Sequence, residues 1–112
     1  MPKFVTIGYG DEAGYDQTSL KVRDAAHAHD AGLVRDGALM GIAGQPVQVR
    51  NHDDRGVTIE PGAYSSSALP VAGFALIDAA DLAEAVEQVS KSPCAVARGV
   101  VEVWPLEEGF DV

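Results

Sequence analysis

A chain of 112 residues, 46% of them hydrophobic, has material for one globular domain with a core and not for two. Seventeen acidic against eight basic residues give a formal charge of −9, which repels phosphate backbones and anionic membrane surfaces, so neither nucleic acid nor membrane is an expected partner. A single cysteine excludes an internal disulfide, no apolar run approaches the roughly 18 residues of a membrane helix, and MPKFVTIGYG has no secretory character; a cytoplasmic protein with Cys94 as a reduced thiol is expected.

The segment Phe4 to Tyr9 reads as a first strand, with Val5, Ile7 and Tyr9 on one face and Phe4, Thr6 and Gly8 on the other. Gly10 to Thr18 reads as a polar loop with two glycines, after which Thr18 or Ser19 caps a helix running to about Asp36. Stepping about 100° per residue around that helix places Val22, Ala26, His29 and Leu33 on one inward stripe, with His27, Ala31 and Asp24 opposite and Lys21, Arg23, Asp30 and Arg35 flanking. Asp36-Gly37 ends it, and Ala38 to Ala43 reads as a short apolar strand. Val47 to Arg50 and Val57 to Glu60 alternate in period two on either side of the polar turn Asn51 to Gly56, which predicts a hairpin with one face buried and one wet. Pro61 to Pro70 is a loop of small residues long enough to suggest function.

The organising stretch is Leu69 to Val89. Val71 to Ile77 has the content of a buried strand, and Leu82, Ala85, Val86 and Val89 recur on one helix face. Asp78 is the expected cap, Asp81 adds charge in the first turn, and Ile77 with Leu82 sits where a hydrophobic staple belongs. Pro93 stops the helix around Ser90 to Ser92. A last strand, Gly99 to Leu106, turns Val101 and Val103 one way and Val100, Glu102 and Trp104 the other, before a polar tail from Glu107 to Val112.

This order predicts an α+β fold of split βαβ type, an antiparallel sheet with both helices on one face. Two helices cover one face only, so Phe4, Phe74, Leu76 and Trp104 are expected to leave an apolar patch that a homodimer buries by packing sheet against sheet.

Several stretches resemble the YCII-related proteins, within them the branch named for the tetrapeptide Asp-Gly-Pro-Phe. They are the opening strand followed by Tyr9-Gly10-Asp11-Glu12, the helix leading to Asp36-Gly37-Ala38-Leu39, Gly73-Phe74-Ala75-Leu76-Ile77-Asp78 with its helix, Pro93, and Val101 to Leu106. The resemblance implies a ferredoxin-like fold dimerising through its sheets as a dimeric α/β barrel. It also implies a cleft between sheet, first helix and partner in which a His and Asp pair is the suggested active site. A few relatives act on chlorinated aromatic or lactone substrates, and some lie beside genes for alternative sigma factors. Aligned on Gly73-Phe74, the tetrapeptide falls on Pro61, Gly62, Ala63 and Tyr64, and the Glu, Thr and Lys that usually follow fall on Ser66, Ser67 and Ala68, so the loop loses its charges. The family's helical histidine falls on Ala26, while His29 stands one turn along the same face.

His29 is the candidate catalytic acid or base, since an imidazole beside a cleft titrates near neutrality; the alternative is a core histidine bonded to backbone or water. Tyr9, Tyr64, Ser66 and Phe74 are the candidate ligand contacts. His27-Ala28-His29-Asp30 is similar to a His-x-His-x-Asp metal motif, yet helix residues two apart point about 200° from each other, so no metal is expected, and His27 and His52 are expected in solvent. Ser65 to Ser67 with His29 and Asp78 lack the Gly-x-Ser-x-Gly elbow of a serine hydrolase. Gly8, Gly10 and Gly14 have the wrong spacing for a dinucleotide loop, so no cofactor is expected, and Cys94 has no cation beside it to make it a nucleophile. Two functions remain. One is cofactor-free proton transfer or elimination on a small, partly apolar, cyclic or aromatic ligand; the other is a ligand-sensing or protein-interaction module of transcription control.

Overall fold

The computed structural model describes residues 1–107 and has strands β1 (Lys3–Tyr9), β2 (Leu39–Ile42), β3 (Val47–Arg50), β4 (Thr58–Pro61), β5 (Val71–Asp78) and β6 (Val100–Pro105), with helices α1 (Glu12–Gln17), α2 (Leu20–Arg35), α3 (Leu82–Val89) and α4 (Pro93–Val96). The tail expected beyond Glu107 lies outside the described residues. Four strands form one antiparallel sheet in the order β2-β5-β1-β6, compatible with a ferredoxin-like α+β arrangement, and β3 with β4 forms a separate two-stranded ribbon. No helix among the described residues is long and apolar enough to cross a membrane.

The strand alternation sorts the sheet into two faces. Phe4, Ala75, Ile77, Val101 and Val103 face the helices and pack with Ala79, Ala85 and Val89. Their neighbours Val5, Ile7, Phe74, Leu76, Val100 and Trp104 face the other way, where no helix lies, and Phe74 and Trp104 remain 50% and 57% exposed. Phe4 therefore leaves the expected patch: it is 4% exposed, under the helices rather than on the open face. The reason is the alternation itself, which puts Phe4 with Thr6 and Gly8.

Three local expectations are corrected. Part of the expected loop is α1, which Asp11 caps by accepting from the Gly14 N–H at 2.8 Å. Gly14 does not break that helix; it permits close approach, because a Cβ there would lie 2.7 Å from the Ala97 carbonyl oxygen. The cap of α3 is Asp81, which accepts from Glu84 N at 2.9 Å, whereas Asp78 ends β5 and pairs with Lys3 at 2.8 Å. The helix starts at Leu82, a turn later than Asp78 predicts, so Ile77 lies too far upstream to be its staple and Leu82 is exposed. Pro93 does not merely end a helix; it sits in the first turn of α4, where its missing N–H costs nothing.

The predicted Ser19 cap of α2 is present, with its hydroxyl accepting from Val22 N. The expected stripe holds at Ala26, His29 and Leu33, but Val22 is exposed and the flanking Arg23 and Asp30 also turn inward, with Ala26 alone fully buried. A helix with two charged residues on its inner face cannot close on the sheet along its whole length, and it stands off.

Truncating Phe4 to Ala should cost about 3–5 kcal/mol, the usual range for emptying a buried aromatic site, and Leu82→Ala well under 1 kcal/mol because little area is lost. Urea unfolding of the two variants checks this, and similar losses would contradict the assignment of faces.

Candidate functional site

The gap under α2 is a cleft of about 380 Å³. Its floor is the helix face of β5 and β2, with Gly73, Ala75, Ile77 and Met40; Leu33 of α2 forms the roof and Cys94 of α4 closes one end. The wall is almost wholly apolar, and the ionisable groups that reach it are His27, Asp30 and Cys94. A glycine is required at position 8 for this packing, since a Cβ there would lie 2.8 Å from Cys94 Sγ.

Asp30 is the chemically distinctive group. Desolvation raises its pKa above the ordinary aspartate value, and the nearby His29 and His27 charges oppose that shift without cancelling it. Burial likewise pushes the Cys94 thiol up, and the Asp30 charge adds to the shift, so Cys94 is kept as a thiol and not as a nucleophilic thiolate. His27 is exposed at the α1 side of the cleft, hydrogen-bonded to Tyr15 Oη at 2.9 Å, while the Arg23 guanidinium lies 4.5 Å over the Tyr15 ring.

His29 is placed differently from the catalytic role expected of it. Its Nε2 donates to the Gln88 carbonyl oxygen at 2.5 Å. That carbonyl is in the last turn of α3, where the backbone acceptors have no partner within the helix. Its neighbours are served as well: Ser90 Oγ donates to Glu87 O, and Ser92 Oγ to Val89 O. His29 thus ties α2 to the C-terminal end of α3, as the core histidine of the alternative reading would.

The remaining candidates divide between two sides of the sheet. Helix α2 and the Pro61 to Pro70 loop are on opposite faces of the sheet, and each borders a cleft of its own. Tyr9 and Ser66 share the second, a cavity of about 590 Å³ on the open face beneath the loop, with Val100, Glu102 and Trp104. There Tyr9 Oη donates to Glu102 Oε1 at 2.6 Å, and this bond, with lesser help from desolvation and the Glu102 charge, raises the Tyr9 pKa. Phe74, between Gly73 and Ala75 on β5, borders the α2 cleft, although the alternation turns its side chain to the open face. Tyr64 joins neither cleft: it is 83% exposed, with the Arg50 guanidinium 5.8 Å from its ring centre. No group of three or more His, Cys, Asp or Glu side chains among the described residues could hold a metal ion. The residue that sequence reasoning missed is Asp30, assigned there to the flank of the helix; its inward stripe-mates Ala26 and Leu33, four before and three after, were the available signal.

Compared with known proteins, the chain matches no family model and no curated protein.

Two outcomes are expected. Replacing His29 by Ala leaves the Gln88 carbonyl without its donor and should lower stability by about 1–2 kcal/mol in urea unfolding. For Asp30, a raised pKa means that the folded chain keeps a proton the unfolded chain has already released, so stability falls as pH rises from the unfolded value through the folded one, and stays lowered above it. Asp30→Asn should therefore raise Tm at about pH 7, with the gain vanishing below about pH 4, the ordinary carboxylate range. Thermal unfolding of both proteins across that interval checks the sign.

Proposed function

We propose that this chain is a YCII-like cytoplasmic protein that binds a small, largely apolar, cyclic or aromatic molecule in the cleft under α2, where Asp30 meets the polar group of the ligand and exchanges a proton with it. The observation that carries the reading is a half-buried carboxyl with a raised pKa in an otherwise apolar cleft of about 380 Å³. That volume suits a small ligand, and a desolvated carboxyl in a concave site is the arrangement from which acid and base catalysts are made. The role first given to His29 passes to Asp30, because His29 spends its Nε2 proton on Gln88. Thr6, His27, Ser92 and Cys94 are the other polar side chains that line the cleft. The resemblance to proteins acting on aromatic and lactone substrates agrees with the wall chemistry and supplies the first compounds to try.

The same reading includes a homodimer through the open sheet face. Phe74 and Trp104, each half exposed, with Val100 at 52% and Leu39 at 68%, form an apolar surface left exposed among the described residues.

The test is thermal unfolding in the presence of phenol, 4-chlorocatechol and δ-valerolactone at millimolar concentration, for wild type, Asp30→Asn and Leu33→Trp. A ligand that binds only the native state raises Tm by mass action. One of the three should do so in wild type, with the shift at least halved in Asp30→Asn, which loses the polar contact, and abolished in Leu33→Trp, which fills the cleft. An equal shift in all three proteins would place the site elsewhere. Absence of a shift with any of the three would favour the interaction-module function.

A further inference from the structure

The β3–β4 ribbon has secondary structure but contributes no buried residue to the core. Its strands pair with each other and with no other strand, Val49 opposite Ile59 and Val47 opposite Pro61. The alternation predicted from sequence is present: Gln48, Arg50 and Glu60 share one face, where Arg50 bonds Glu60 at 3.3 Å and Gln48 at 2.8 Å. Val47, Val49, Ile59 and Pro61 share the other. That apolar face was expected to be buried, and it is not: Val47, Val49, Val57 and Ile59 are each between 59% and 66% exposed. The ribbon stands away from the body. The radius of gyration is 16.1 Å, against about 13 Å for a compact chain of this length, and the longest dimension is 53 Å.

We infer that the ribbon is a dimerisation arm whose apolar face packs on the open sheet face of a second copy of this chain. The inference rests on the homodimer of the preceding section and adds the element that completes it. An isolated two-stranded hairpin is marginal in water, so its order requires cover. Two uncovered apolar surfaces occur on every copy, the arm and the open sheet face, and a twofold exchange satisfies both at once, whereas a foreign protein on one would leave the other bare. The area is sufficient. Val47, Val49, Val57 and Ile59 with Leu39, Phe74, Val100, Trp104 and Leu106 together offer on the order of 800 Å² per copy, which is what a stable specific interface buries on each side. Charge does not oppose it. Of the −9 on each copy, the strand carboxylates on the open face are Glu102, which Tyr9 holds in a hydrogen bond, and Asp78, which pairs with Lys3 at 2.8 Å.

The experiment is sedimentation velocity on the full chain between 1 and 100 µM, with hydrogen exchange on the wild type. The wild type should be a dimer whose β3 and β4 amides exchange at least tenfold faster after dilution below the dissociation constant. Val49→Glu with Ile59→Glu should weaken the dimer at least tenfold with circular dichroism unchanged, and Gln48→Glu with Thr58→Lys, on the polar face, should leave it intact. A dimer that survives the arm pair but dissociates on Phe74→Glu, or arm amides insensitive to dilution, would overturn the arm and leave the sheet-face dimer standing. A monomeric wild type at 100 µM would overturn both.

Discussion

The ladder between β1 and β5 carries apolar side chains on both of its faces. Phe4 and Ile77 point into the helices, and Val5, Ile7, Phe74 and Leu76 point away from them. Cover for one face comes from α3, which lies close because its inner residues are small: Ala85 is fully buried and Val89 nearly so. No helix among the described residues covers the other face. The hydrophobic effect is indifferent to which molecule supplies the covering surface, so the same physics that places Phe4 under α3 favours the proposed second copy against Phe74 and Trp104.

The other helix pays the opposite debt. Arg23, His29 and Asp30 occupy positions on α2 where a tight helix–sheet contact would carry apolar side chains, and charges are not desolvated without partners. Contact is therefore made elsewhere: Ala26 is buried, α4 packs beside α2, and His29 reaches across to the end of α3. What stays open between α2 and the sheet is the cleft. Stability and site are in this sense complementary in one element, with the residues that keep the helix off the sheet creating the space a ligand needs. Asp30 is central to that trade, because the environment that raises its pKa is the one its presence helps to hold open.

What the sequence made legible follows the range of the interaction involved. Apolar runs marked β2 and β5, period-two alternation marked the other strands, and it assigned Val101 and Val103 against Val100, Glu102 and Trp104 correctly, since strand facing is a property of neighbouring residues. The cap of α2 was also local, and Ser19 was read rightly. The cap of α3 was not, because Asp78 and Asp81 are equally good caps in isolation and the choice falls to Lys3, which holds Asp78 in the sheet from 75 residues away. The same limit hid Asp30. Its position three and four residues from Leu33 and Ala26 was visible, but desolvation depends on how far the helix stands from the sheet, and no pattern in the helix alone encodes that distance. Nor does alternation say what a hairpin packs against: it marked Val47, Val49 and Ile59 as a face in need of burial, without naming the surface that buries it.

His29 and Asp30 are adjacent in sequence and show how one turn of helix divides labour. Successive residues diverge by about 100°, so the two side chains address different neighbours. The histidine finds a carbonyl at the end of α3 and becomes a strut; the carboxyl shares the cleft with Ile77, Leu33 and Met40 and has no hydrogen-bond partner among the described residues. An imidazole with its proton committed to a backbone carbonyl is poorly placed to deliver it to a ligand. A carboxyl held above its ordinary pKa and facing an apolar space is the better placed of the two, and the proposed chemistry of the cleft rests on that asymmetry.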